Sequence, residues 1–132
     1  MSTRNFALIF GIVFIAVGIA GFVPALVYAP DGGDMGGHGM LLGLFPVNTL
    51  HNIVHLLFGI WGIAASRSAS GAVMYARGVA IIYAVLTVCG LIPATADGFG
   101  YVPLYGKDVW LHAVLALIGA YFGWVNRNPT TA

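Results

Sequence analysis

Residues 6–28 contain no Asp, Glu, Lys, Arg or His. An apolar run of that length matches the roughly 20 residues that a helix needs to cross the hydrocarbon of a bilayer. In a small soluble domain it would leave nothing to face water. Three further apolar runs follow at 48–65, 72–93 and 109–125, each shorter or carrying polar residues. With 60% of the 132 residues hydrophobic and only 7% charged, there is too little polar surface to coat a soluble globule. The expectation is an all-α fold: one domain over residues 1–132, an integral membrane four-helix bundle with helices at about 6–28, 48–65, 72–93 and 109–125. Pro24 is expected to kink the first helix near its end. A cleaved signal peptide is the rival reading of the first run, since Arg4 precedes it and residues 27–29 resemble a cleavage site, but the apolar length and Pro30 argue against cleavage.

The few charges set the orientation. Arg4, Arg67, Arg77 and Arg127 all fall on one side of such a bundle, while Asp31, Asp34, Asp97 and Asp108 fall on the other with Lys107. Positive loops stay in the cytoplasm, so both termini are expected there. Tyr28, Tyr101, Tyr105 and Trp110 would form the outer aromatic belt, and Phe6, Trp61, Tyr75 and Trp124 the inner one. A formal net charge of +1 offers neither a nucleic-acid footprint nor a polybasic membrane-surface patch. Small residues four apart, Ala7 and Gly11, Ala76 with Ala80 and Ala84, and Gly119 and Gly123, favour close helix packing. The two outer loops, both rich in glycine, are expected to meet in a cap.

Chemistry, if any, rests with the histidines. His51 and His55 stand four apart, on one face of the second helix, and His112 lies near the start of the fourth. At about 1.5 Å of rise per residue, His51 and His112 sit roughly 5 Å below their helix starts, with His55 one turn deeper. Cys89 on the third helix reaches a similar depth, Asn48 and Asn52 add amides beside the histidines, and Asp97 and Asp108 lie above them. Ionisable groups inside a membrane are costly and mark function by default.

Three readings of this polar layer compete. It is a structural clamp, with Asn48, Asn52, Asp108 and Cys89 joining the histidines in helix-to-helix contacts. It is a transition-metal site formed by His51, His55 and His112, residue types suited to Zn, Cu, Ni or Fe. It is a cofactor site, with His112 opposing His51 or His55 as axial ligands to haem, or holding a quinone or pigment. A weaker set, Met35, His38 and Met40 in the first outer loop, suits Cu(I). Asn52 stands where a zinc protease carries its Glu, which disfavours hydrolytic zinc chemistry. The single cysteine excludes an internal disulfide, and no catalytic motif is present, so the sequence gives no ground for an enzyme.

Leu41-Leu42-Gly43-Leu44-Phe45, Val47-Asn48 and Leu50-His51-Asn52-Ile53-Val54-His55-Leu56-Leu57-Phe58-Gly59, with Asp108, Trp110, Leu111 and His112 further on, resemble the signatures of a bacterial family of small four-helix membrane proteins, the domain-of-unknown-function family DUF4383. The resemblance covers most of the chain. It implies a four-helix fold in a bacterial plasma membrane and no particular reaction; its motif residues here are Asn48, His51, Asn52, His55, Asp108, Trp110 and His112. Met35 to Met40 lie outside it.

Two classes of function follow. The chain is an accessory or structural subunit of a larger membrane complex, or a homo-oligomer, with lipid as its surroundings. Alternatively it is a redox or metal-handling protein that binds haem or a transition metal near the outer face.

Overall fold

The computed structural model describes residues 1–29 and 39–126. Four helices run alternately up and down: α1 (Thr3–Ala20), α2 (Thr49–Ala65), α3 (Ala69–Leu91) and α4 (Lys107–Ala120), the last continued by a π-helical turn at Tyr121–Val125. Among the described residues, three of these, Thr3–Ala20, Ala69–Leu91 and Lys107–Val125, are long and apolar enough to cross a membrane. α2 has 17 residues, which is about 25 Å of helix. It nevertheless travels the length of α1, with Gly62 against Ala7, Gly59 against Gly11, and Asn52 against Gly18 and Gly21.

The bundle is two antiparallel pairs, α1 with α2 and α3 with α4. The small residues explain why. A Cβ on Gly11 would stand 2.7 Å from the Ile63 nitrogen and 2.8 Å from the Gly59 carbonyl, and one on Gly119 would stand 2.8 Å from the Ala80 nitrogen. Backbone meets backbone at both seams, where lipid supplies no hydrophobic drive and close packing must hold the helices together. Between the pairs lies an aromatic core. Phe6 stacks on Phe122 at 4.6 Å, Phe14 on Tyr83 at 5.8 Å, and Trp61 meets Tyr75 edge-on at 4.9 Å. Phe6 and Tyr75, expected in the inner belt, are fully buried in this core instead. Their hydropathy fits either place, and only the helix rotation decides. Outward, Ile9, Ile12, Leu57, Ile60, Ile81, Val85 and Leu117 are exposed, a surface suited to lipid.

The first helix is shorter at its end than its apolar run. Gly21 caps it, the Phe22 and Val23 amides reach back to Ile19 and Ala20, and Pro24 then offers no N–H while holding Val23 extended. The chain ends the helix there rather than kinking it, makes a single 3-10 turn at Pro24–Leu26, and enters a small antiparallel sheet. Its strands are β1 (Val27–Tyr28), β2 (Gly39–Leu41) and β3 (Phe45–Val47), in the order β1-β2-β3. Leu41 pairs with Phe45 across a turn whose central residues, Leu42 and Gly43, both have positive φ, the form that suits a tight hairpin. Pro46 sits on the outer strand, where a missing N–H costs no ladder bond. This sheet is an addition to the all-helical expectation, and it covers the end of the bundle where the histidines lie.

The opposite end gathers Met1, Asn126, Arg4 and Arg77. Thr3 Oγ1 donates to the Phe122 carbonyl at 3.3 Å, and Asn126 Nδ2 to the Met1 carbonyl at 3.2 Å. Arg4 Nε donates to the Ser66 carbonyl and Arg77 Nε to the Gly123 carbonyl, while the Arg77 guanidinium lies 5.4 Å from the Trp124 ring. Arg127 lies outside the described residues. At the turn between α2 and α3, Ser68 Oγ accepts the Gly71 N–H at 3.0 Å as an N-cap. Ser68→Ala is therefore expected to lower stability by about 0.5–1 kcal/mol, read as a small fall in the melting temperature in detergent.

Candidate functional site

α2 begins where β3 ends, and Asn48 makes the junction. Its Oδ1 accepts the His51 N–H at 2.8 Å, capping the helix, while its Nδ2 donates to the Tyr101 carbonyl at 2.7 Å. One side chain thus ties α2 to the loop between α3 and α4. That loop is held by the Leu104 N–H to the Ala96 carbonyl at 2.9 Å and by Thr95 Oγ1 to the Cys89 carbonyl at 2.8 Å. It ends at Gly106, whose positive φ turns the chain into α4. Asp108 then falls in the first turn of α4, where the helix dipole favours a carboxylate. His112 follows four residues later on the same face.

His51, Asp108 and His112 converge. All three are buried, at 7%, 1% and 2% exposure. One ligand-type atom from each lies within 4.8 Å of the other two. His51 Nε2 stands 3.9 Å from Asp108 Oδ2, too far for a hydrogen bond. His51 has the Asn52 side chain as a hydrogen-bond neighbour, while Oδ2 of Asp108 and Nδ1 of His112 are buried with no hydrogen-bond partner among the described residues. Leaving a buried polar atom unpaired costs about 1–3 kcal/mol, so two of them side by side is a costly arrangement for a purely structural contact.

His55 is close but otherwise engaged. Its Nδ1 lies 3.0 Å from the His51 carbonyl, to which it donates, and its ring is 4.3 Å from the His51 ring and edge-on to Phe14 at 5.5 Å. It supports His51 from one turn below. Tyr83 packs against His112 at 5.1 Å, so Phe14 and Tyr83 form an aromatic floor under the cluster. Asn52 is fully buried between Gly21 and His51, whose side chain it meets in a hydrogen bond. Cys89 is half-buried, and the described group of ligand-type side chains does not include it. Met40 lies at the cap, while Met35 and His38 lie outside the described residues. Trp110 points away, 68% exposed. The sequence reading had Asp108 beside the histidine layer but not in the ligand set; the signal was its spacing to His112, the same four-residue step that links His51 to His55.

Chemically, two imidazoles and one carboxylate are a donor set for borderline divalent ions such as Zn²⁺, with at least one coordination position left open.

Residues 4–125 match the DUF4383 family, a domain of unknown function. The chain belongs to that family. No curated protein and no solved structure matches it.

Proposed function

We propose that this four-helix protein holds a divalent transition-metal ion through His51, Asp108 and His112, close to the outer face of a bacterial plasma membrane, with both termini in the cytoplasm. The observation that carries this reading is the convergence of three buried ligand-type atoms within 4.8 Å of one another. The lack of hydrogen-bond partners for Asp108 Oδ2 and His112 Nδ1 among the described residues supports it. The sidedness rests on Arg4, Arg67 and Arg77 at the end away from the site. Haem suits this cluster poorly, because Asp108 shares the space between the two imidazoles where a macrocycle would have to lie.

Isothermal titration of the metal-free protein in mild detergent tests the proposal. One Zn²⁺ per chain is expected, with no competition from excess Mg²⁺, which prefers an all-oxygen octahedral site. No Zn²⁺ uptake would refute it.

A second reading has its own support. His51 and Asp108 face one another across α2 and α4 at 3.9 Å, and a polar clamp of that kind suits an accessory or structural subunit in a larger assembly. The two readings part on the metal-free stability of the histidine variants.

A further inference from the structure

Above the cluster, between the small sheet and the loop joining α3 to α4, lies a cleft of about 270 Å³. Both of its walls run directly into the helices that carry the cluster. Val47 and Asn48 lead into the first turn of α2 and so to His51; Pro103 and Tyr105 lead into the first turn of α4 and so to Asp108. Below the cluster, Phe14 and Tyr83 close the bundle with stacked rings. On the sides are helices whose outer faces are apolar. A hydrated ion crosses none of these surfaces cheaply. The cleft is the approach that remains; the Asn48 and Tyr101 polar groups line it, and Asp97 is the one charged lining residue among the described residues.

Resting on the metal reading above, we propose that this cleft is the port through which hydrated divalent cations reach the site from the outer aqueous face, with the Asn48 side chain as its latch. The Asn48 Nδ2 bond to the Tyr101 carbonyl spans the cleft between the start of α2 and the α3–α4 loop. While it holds, the two sides of the port stay together above His51. When it breaks, the loop is freed at Tyr101, yet α2 keeps its cap, because the Oδ1 bond to the His51 N–H is a separate contact. Asp97, exposed in the cleft wall, draws cations to the opening.

Asn48→Ser separates these roles. Serine caps a helix about as well as asparagine but is too short to reach the Tyr101 carbonyl, and it adds no charge. In stopped-flow mixing of the detergent-purified protein with Zn²⁺, and in release of Zn²⁺ to excess chelator, this variant is expected to speed association and dissociation together, by about fivefold or more, with Kd changed less than about threefold. Asp97→Asn is expected to slow association several-fold at low salt, the difference fading as screening rises. If both variants keep wild-type rates while the protein binds Zn²⁺ at equilibrium, the port is refuted and the site stands. Should the wild-type protein bind no Zn²⁺ at equilibrium, port and site fall together.

Discussion

Alanine at His51 or at His112 is expected to weaken Zn²⁺ binding by about 100-fold or more, beyond the 10- to 100-fold that loss of a supporting partner brings. His55→Ala is expected to cost less, about tenfold, because His55 acts on the site through the His51 carbonyl and ring and does not supply a ligand atom. The accompanying stability change has an unusual sign. Without metal, His112→Ala removes a buried ring nitrogen that has no hydrogen-bond partner among the described residues, so its melting temperature should equal or exceed that of the wild type. With Zn²⁺ at a hundredfold over its Kd, the wild-type protein gains about 2.7 kcal/mol, and the variants at His51 and His112 lose that gain. A structural clamp predicts the reverse: variants less stable in the absence of metal and indifferent to its addition. Thermal unfolding in detergent with and without Zn²⁺ reads both outcomes in one experiment.

The second large effect lies in the seam between α1 and α2. A Cβ at Gly59 would stand 2.7 Å from the Gly11 carbonyl and 2.8 Å from the Ile15 nitrogen, so the obstacle is backbone that no rotamer change can move. Gly59→Val forces the two helices apart along their length, and the disturbance passes to Asn52 and His51 at the far end of the same helix. The expected cost is about 3 kcal/mol or more, at the top of the range for overpacking. Loss of the folded monodisperse species on size-exclusion chromatography is the readout. Leu57→Val serves as the control, since Leu57 is 60% exposed toward lipid and should leave the profile unchanged. A well-folded Gly59→Val protein would mean that the seam is looser than the packing implies.

Much of this architecture was legible in the chain. Four apolar runs gave four helices, and the four-residue steps of small residues marked Gly11, Ala76, Ala80, Gly119 and Gly123, all of which sit at helix contacts. The end of α1 was not legible, because Phe22, Val23, Leu26 and Val27 are as apolar as the helix before them. Hydropathy alone does not separate a helix from a 3-10 turn or a strand. Pro24 carried that information through its missing N–H, and it ended the helix where a kink had been expected. The three-stranded sheet was hidden for a different reason: β1 pairs with β2 across residues 29–38, a non-local contact that two- and three-residue strands do not announce. At the site, burial brought His51 and His112 together, which depended on the rotation of α4. Asp108 joined them because Gly106 starts α4 early enough to put the carboxylate one turn before His112. The four-residue step from Asp108 to His112 equals the one from His51 to His55, and that step is the sequence signal for the carboxylate's place in the ligand set.

The most direct test of the metal site is X-ray absorption at the zinc edge on the Zn²⁺-loaded protein. The arrangement of His51, His112 and Asp108 predicts a first shell of nitrogen and oxygen at roughly 2.0–2.1 Å, outer-shell scattering from two imidazoles, and no sulfur. An oxygen-only shell without imidazole scattering, or a shell containing the Cys89 sulfur, would contradict it.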